Sequence, residues 1–341
     1  MREESSATTR SGIAVPAANP SSAPGPAPTS PARTSTAPAP APATTTATAT
    51  AAAPSPAARG GLVFAALGVV AFSLTFPGTV WALEGFGPWS VTTVRMVLAG
   101  LIAGGALAAL RVPAPPRHTW PGLAVVAAGT VVGFPLLTTL ALETSSTSHA
   151  AVVVGLLPLA TAAYSALRTG HRPSRTFWAA ALAGAAVVLA FALHDSGGGA
   201  SLGDLYLAGA LLICAAAYGE GGRLAREMPG WQVIGWALVG CLPAAAVGAA
   251  FALAAEPVTL NAHAVAGIVW VAAGSQFLGL LLWYRGLART GVARASQIQL
   301  AQPLLTLVWS VLLLGEHLTP AAPAAAVGVL VCIAVTQRSR S

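Results

Sequence analysis

Long apolar runs and short polar connections alternate along the chain from about residue 60 to its end. Ten of these runs are 18 to 23 residues long, and a helix needs about 20 apolar residues to cross a membrane. Because lipid offers no partner to backbone N–H and C=O groups, runs of this length must be helical. The pattern therefore predicts an all-α membrane protein with ten transmembrane helices. The predicted helices occupy residues 61–81, 90–110, 119–141, 148–167, 176–193, 203–221, 232–254, 263–284, 294–314 and 319–336.

The composition supports a membrane protein and excludes other classes. Hydrophobic residues make up 55% of the chain and charged residues only 8%, whereas soluble proteins carry about 25% charge. The formal net charge is +7, but the basic residues are spread between apolar runs, so we expect no nucleic-acid partner. The three cysteines lie in different apolar runs without metal-ligand spacing. We predict no metal site and no cofactor.

Residues 1–59 differ from the rest of the chain. They are rich in Pro, Ala, Ser and Thr and contain no aromatic residue. Such a segment cannot bury enough apolar surface to fold, and it lacks the apolar stretch of a signal peptide. We predict a disordered cytoplasmic tail at 1–59, the alternative being a start site placed too far upstream. Two five-helix domains are predicted to follow, at 60–195 and 200–337.

The charged residues of the connections predict the orientation of the helices. All 17 basic residues are arginines, and 16 of them fall in alternate connections or near the termini. Positively charged connections stay in the cytoplasm, which predicts a cell (inner) membrane protein with both termini cytoplasmic and an even number of crossings. The intervening connections and their edges contain no arginine, and their acidic residues are Glu84, Glu143, Asp195, Asp204, Glu256 and Glu316.

The two halves of the chain contain an internal repeat. PLATAAYSALRTG at 158–170 aligns with PLLTLVWSVLLLG at 303–315 at a constant offset of 145, with six of thirteen positions identical. Each half then contains five helices, and an odd number makes the second half enter the membrane from the opposite side. Inverted repeats of this kind are typical of secondary transporters, whose substrate site lies near the midplane between the halves.

Prolines interrupt several predicted helices. Each proline removes the hydrogen bond to the carbonyl four residues earlier, so Pro158 frees the carbonyl of Val154 and Pro303 that of Gln299. Prolines are also tolerated in membrane helices as simple packing kinks. The matched pair Pro158 and Pro303 favours a gating role over that alternative. Three further prolines, Pro77, Pro135 and Pro243, free the carbonyls of Ser73, Val131 and Val239.

Together these features resemble the EamA family of the drug/metabolite transporter superfamily. The resemblance rests on ten helices in two halves, an arginine early in helix 2, a proline in helices 4 and 9, and LLLGEHLT at 312–319. It covers residues 61–336 and implies a small-molecule transporter with a central cavity, often an exporter of amino acids or related metabolites. One departure is His171, which follows Gly170 where the family usually repeats Gly-Glu.

Among the ionisable residues inside the apolar runs, three are functional candidates, because charge is costly in a membrane. Arg95 is predicted to bind a solute carboxylate through two parallel hydrogen bonds or to pair with a gating carbonyl, the alternative being a side chain that extends back to the interface. His149 and Glu220 are candidates for coupling or gating. The alternatives are a neutral, hydrogen-bonded imidazole for His149 and an interfacial carboxylate near Arg223 for Glu220.

A polar stripe on helix 9 predicts a cavity wall. Its spacing of three and four residues places its members on one face, although such a face also serves to join helices through hydrogen bonds. The stripe consists of Gln299, Gln302, Thr306 and Ser310. With Arg95, the predicted substrate-binding residues are Gln276, Gln299, Gln302, Tyr164 and Trp309.

These observations predict a secondary transporter, and more specifically an exporter of small metabolites that works by alternating access. We expect a small-molecule solute and membrane lipid as partners, with a homodimer as the candidate assembly. The alternative is a membrane-embedded receptor or transferase without transport. A metal–diphosphate transferase needs clustered carboxylates, and the chain has only two aspartates. We therefore predict no catalytic residues.

The orientation is testable by cysteine labelling. In a background without the three native cysteines, single cysteines at positions 198 and 258 should react with an impermeant thiol reagent in intact cells. Cysteines at positions 114 and 172 should react only after the membrane is permeabilised. The reverse pattern would contradict the assignment of the arginine-bearing connections to the cytoplasm.

Overall fold

A computed structural model describes residues 56–170, 174–195, 199–290 and 298–338. Throughout these residues the chain is helical with short connections, and the described part contains no β-strand. The all-α prediction is confirmed. Most of the predicted tail, residues 1–55, lies outside the described residues.

Eight helices in the described part are long and apolar enough to cross a membrane. Two shorter apolar helices follow, α9 (Gln302–Leu314) and α10 (Ala321–Val335). Of the helix predicted at 294–314, residues 294–297 lie outside the described residues, 298–299 are helical, and regular α-helix resumes at Gln302 after a turn. The eight long helices are α1 (Gly60–Leu83), α2 (Pro88–Ala109), α3 (Arg117–Leu142), α4 (Thr147–Arg168), α5 (Arg175–Asp195), α6 (Leu202–Leu224), α7 (Gly230–Ala255) and α8 (Ala262–Trp283).

Several helices are interrupted, and most interruptions lie near prolines. The first helix breaks at Leu74, between Pro56–Ser73 and Thr75–Leu83, three residues before Pro77. The fourth breaks between Thr147–Val154 and Leu157–Thr169, next to Pro158. Pro243 is different, because α7 continues through it without a break.

Two wider helical turns occur in corresponding places. A π-helical segment lies at Ala127–Gly133 in α3, directly before Pro135, and another at Trp270–Gly279 in α8. Each is the third helix of its half. Such wide turns redirect side chains and are frequent at functional sites.

The helices pack in long pairs that join the two halves. Helix α2 lies along α7, α1 along α8 and α3 along α6, while α5 lies along α10. The first part of α4, Thr147–Val154, is buried throughout and contacts α5, α6, α9 and α10. This segment is therefore at the centre of the largest hydrophobic cluster.

The helix ends form two chemically different ends of the bundle. The acidic end is where Glu256 contacts the start of α2 and Glu316 the start of α4. The arginine end is where Arg168 and Arg223 contact Glu220.

Glycine permits the close contact between α1 and α8. A Cβ added to Gly267 would lie 2.5 Å from the carbonyl oxygen of Gly78 and from the amide nitrogen of Ala82. Both atoms belong to the α1 backbone, so a change of side-chain rotamer cannot relieve the clash. By contrast, a Cβ at Gly240 in α7 would meet open space.

Gly267→Ala should therefore lower the stability of the purified protein by about 1–3 kcal/mol, because it overpacks a backbone contact. The matched control Gly240→Ala should leave stability unchanged or raise it, since alanine favours helix over glycine by about 0.8–1.0 kcal/mol. The midpoint of thermal aggregation in detergent measures both. Equal midpoints would show that α1 and α8 are not in close contact.

Candidate functional site

The break in α1 exposes a backbone carbonyl to another helix. Pro77 has no N–H to donate to the carbonyl of Ser73, and the hydroxyl of Thr306 in α9 donates to that oxygen instead, at 3.0 Å. The indole Nε1 of Trp309 donates to the Ser73 hydroxyl at 2.9 Å. Two residues of α9 thus bind the interrupted part of α1.

The π-helical segment of α8 carries two polar side chains toward α1 and α2. The hydroxyls of Ser275 and Thr75 are hydrogen-bonded at 2.6 Å. The next residue, Gln276, accepts a hydrogen bond from Arg95 Nε through its Oε1. Together these contacts place Arg95, Gln276, Ser275, Thr75, Ser73, Thr306 and Trp309 in one polar band across α1, α2, α8 and α9.

Arg95 is buried in protein rather than extended to the membrane interface. Only 6% of its surface is exposed, and 5% of that of Gln276. Among the described residues, no carboxylate lies within ion-pair distance of Arg95, and the neutral amide of Gln276 is its partner. A guanidinium buried in a membrane protein without a countercharge is rare, because such charges normally pair.

The fourth and ninth helices share three structural features at the offset of 145 residues. Regular helix begins at Leu157 in α4 and at Gln302 in α9, in each case with proline at the second position. Each helix ends at a glycine with left-handed backbone conformation, Gly170 at φ 68° and Gly315 at φ 66°. The sequence repeat is thus accompanied by a repeat of local structure.

A small cleft lies between the two interrupted helices. Its volume is about 40 Å³, which holds water but not a metabolite. Val154 and Gln299, whose carbonyls the prolines leave without a helical N–H, are both part of its wall. The wall also includes Pro158, Gln302, Pro303, Thr306 and Phe76.

The predicted substrate-binding residues fall into separate groups. Gln299 and Gln302 line the cleft, whereas Gln276 contacts Arg95 rather than the two glutamines of helix 9. Trp309 contacts Ser73, and Tyr164 lies against Gly219 of α6. Thr306 and Phe76 connect the groups, because both line the cleft and adjoin the polar band.

Glu220 is held by two arginines at the arginine end. Its carboxylate lies 2.9 Å from Arg223 Nε and 3.4 Å from Arg168 Nε. Arg168 belongs to α4, so the contact joins α4 to α6. The predicted interfacial partner Arg223 is thus present, together with a second arginine.

His149 lies between two carboxylates at the acidic end. Its Nδ1 is 2.7 Å from Asp195 and its Nε2 is 2.6 Å from Asp204. Each ring nitrogen of His149 thus has a carboxylate oxygen as its partner. This cluster ties the end of α5 and the start of α6 to α4.

Thr75 and Ser275 are absent from the predicted set. Both are short hydroxyl residues in apolar runs, and such residues usually bond to their own helix. The available signal was the position of Thr75 two residues before Pro77, at the place where α1 breaks.

These features define a multi-pass, all-helical membrane protein with interrupted helices around a polar interior. The model of the EamA-like transporter family matches residues 59–193 and again residues 201–337. A protein of Bacillus subtilis (strain 168) described as "Uncharacterized transporter YdeK" is 39% identical over 278 residues, 82% of this chain and 97% of that protein. The chain therefore belongs to the EamA-like transporter family, within the drug/metabolite transporter superfamily, and is a membrane transporter.

A solved crystal structure shares the fold. It is 22% identical, covers 81% of this chain and 97% of its own, and superimposes with a TM-score of 0.56.

The bond from Thr306 to the freed Ser73 carbonyl should contribute to stability. Thr306→Val keeps the shape of the side chain and removes the donor, so we expect a loss of about 0.6–1.7 kcal/mol, as found for hydrogen bonds between membrane helices. The control is Thr93→Val, whose hydroxyl donates only to carbonyls of its own helix. Thermal unfolding in detergent compares them, and equal losses would mean that the bond between helices is unimportant.

Proposed function

We propose that the protein is a secondary transporter that exports small organic solutes, amino acids or related metabolites, by alternating access. The observation that carries the proposal is the matched interruption of α4 and α9 around a cleft whose mostly apolar wall contains the polar side chains of Gln299, Gln302 and Thr306. Interrupted helices with freed carbonyls at the midplane are the usual substrate sites of secondary transporters.

An inverted repeat of two five-helix halves, at 60–195 and 200–337, supports alternating access. Its support is the shared start of regular helix at Leu157 and Gln302, the left-handed glycines Gly170 and Gly315, and the π-helical segments of α3 and α8. Ten crossings in this arrangement put both termini on one side of the membrane. Related halves of this kind move against each other around a fixed site.

The contacts between α4 and α9 favour access from the arginine end. Helix α9 packs on Thr147–Val154, the part of α4 nearer the acidic end, whereas among the described residues it makes few or no contacts with Leu157–Thr169. The positive-inside rule assigns the arginine end to the cytoplasm. A solute would then enter from the cytoplasm, the direction required for export across the cell membrane.

A carboxylate is the solute group that suits Arg95. The guanidinium has five donors and cannot be deprotonated in proteins, and Gln276 engages only its Nε. A solute carboxylate would supply the missing countercharge through two parallel hydrogen bonds. Entry to this position requires α4 and α9 to separate, because the present cleft is too small for a metabolite.

The alternative functions are a receptor and a membrane-embedded transferase. Both predict that no solute crosses the membrane unchanged. Untargeted comparison of metabolites in the medium of cells with and without the protein identifies the exported solute. Flux of that solute in reconstituted vesicles, without chemical change, excludes both alternatives.

Substitutions at Arg95 test the solute site. Arg95→Lys keeps the charge but loses the planar fork, so export of the identified solute should fall about tenfold, and Arg95→Gln should reduce it further. Arg117→Gln makes the same charge change at an exposed position and should leave export at the parental rate. Rates are compared at equal protein in the membrane. Parental export by Arg95→Gln would remove Arg95 from the site.

Gln302→Leu tests the cleft. An apolar side chain of similar size suits lipid and protein packing but not a wet cavity, so export should fall several-fold while membrane insertion stays normal. The quantity to measure is initial flux per inserted protein. Unchanged flux would assign the helix 9 glutamines to helix packing alone.

A further inference from the structure

The start of α2 is capped by a residue of another helix. Its N-cap residue, Gly87, has no side chain to accept from the free backbone N–H groups. The carboxylate of Glu256, just after α7, accepts from Trp89 N at 3.1 Å and from Ser90 N at 2.7 Å. A Cβ on Gly87 would collide with that carboxylate, so glycine is required for the contact.

The start of α4 is capped in the same way. Glu316, just after α9, accepts from Thr147 N at 2.7 Å and from Ser148 N at 3.0 Å. The hydroxyl of Ser148 donates to the same carboxylate at 2.8 Å. An anion at a helix N-terminus satisfies free N–H groups and interacts favourably with the helix dipole.

Both carboxylate caps, Glu256 on α2 and Glu316 on α4, join the second half of the chain to the first. They do so between α7 and α2 and between α9 and α4, the helix pairs that the repeat relates to each other. At the offset of 145 residues, Glu256 corresponds to Arg111 and Glu316 to His171. Neither is a carboxylate, so the sequence provides no equivalent caps at the arginine end.

We propose that Glu256 and Glu316 are the gating residues that hold the acidic end closed. This role rests on the proposed alternating access, because only a protein that opens at the acidic end must separate these helix pairs. Separation takes four backbone N–H groups away from carboxylates and leaves them to water. By the usual strength of an anion at a helix N-terminus, each cap shifts the equilibrium toward the closed acidic end by roughly two- to thirtyfold.

Accessibility of a buried position reports whether the acidic end is open. Ser310 is fully buried, one turn before the end of α9, and its hydroxyl bonds only to Leu307 of the same helix. Ser310→Cys, in a background without the native cysteines, places a thiol behind the gate with little change of shape. An impermeant maleimide is added to the acidic-end side, and a cysteine at exposed Val258 measures reagent access and protein amount.

Three variants should open the gate by two different routes. Glu256→Gln and Glu316→Gln remove the charge but keep one carbonyl acceptor, so the helices keep a partner and fold. Gly87→Ala keeps the charge of Glu256 and displaces its carboxylate. Each should raise the rate of labelling at position 310 about two- to thirtyfold, and the double variant Glu256→Gln with Glu316→Gln should raise it more.

Glu143→Gln is the matched control. Glu143 is an exposed carboxylate at the acidic end, near Glu256, and burial together with the charge of Glu256 raises its pKa. Its substitution removes a repulsive charge from the cap, so labelling at position 310 should stay at the parental rate or fall. Labelling at position 258 should be the same in all variants.

Equal labelling at position 310 in the parental protein, the three gate variants and the control would overturn the proposal. Rapid labelling in the parental protein would also overturn it, because the acidic end would then already be open. The readout needs no solute. Faster labelling in the gate variants, with no export of any solute by the parental protein, would therefore support the gate and contradict the proposed function. Loss of export in Arg95→Gln, with labelling at position 310 unchanged in the gate variants, would support the proposed function and contradict the gate.

Discussion

In a membrane, every backbone carbonyl that a proline frees must find another partner, because lipid supplies none. At Ser73 the partner is the hydroxyl of Thr306, and this bond connects the break in α1 to α9. Trp309 binds the same residue, and Thr75, just beyond the break, binds Ser275 of α8. The part of the polar band that includes Ser73 and Thr75 depends on that break. Val154 and Gln299, whose carbonyls prolines also free, are part of the cleft wall instead.

Much of the fold followed from hydropathy alone. The eight long helices lie within a few residues of the predicted runs, because the thickness of a bilayer imposes their length. The ninth run contains a turn at residues 300–301, directly before the regular helix that begins at Gln302, and an apolar run cannot show such a break. The π-helical segments were equally hidden, because no residue type marks a wide turn.

The candidate site was predictable in its residue types but less so in its pairings. Arg95 and Gln276 stand out as polar residues in apolar runs, and they are partners in the structure. Their contact is fixed by the wide turn of α8, which sequence periodicity does not reveal. His149 was recognisable as buried, but its two carboxylates come from the end of α5 and the start of α6, and only packing brings these ends together. The capping by Glu256 and Glu316 was hidden for the same reason.

The two ends of the bundle differ in charge, and this difference decides which helix ends their side chains can cap. Apart from Asp204, which lies in the first turn of α6, the acidic residues of the acidic end lie at or just after the C-termini of odd-numbered helices, where their own helix dipole disfavours them. They reach the N-termini of even-numbered helices instead: Glu256 reaches α2, Glu316 reaches α4, and Asp195 reaches His149 in the first turn of α4. At the arginine end the polarity of the helices is reversed, and arginine side chains can only donate, so they cannot cap a helix N-terminus. The segregation of charge between alternate connections thus accounts for the carboxylate caps at the acidic end, and under the proposed gating mechanism it also biases that end toward closure.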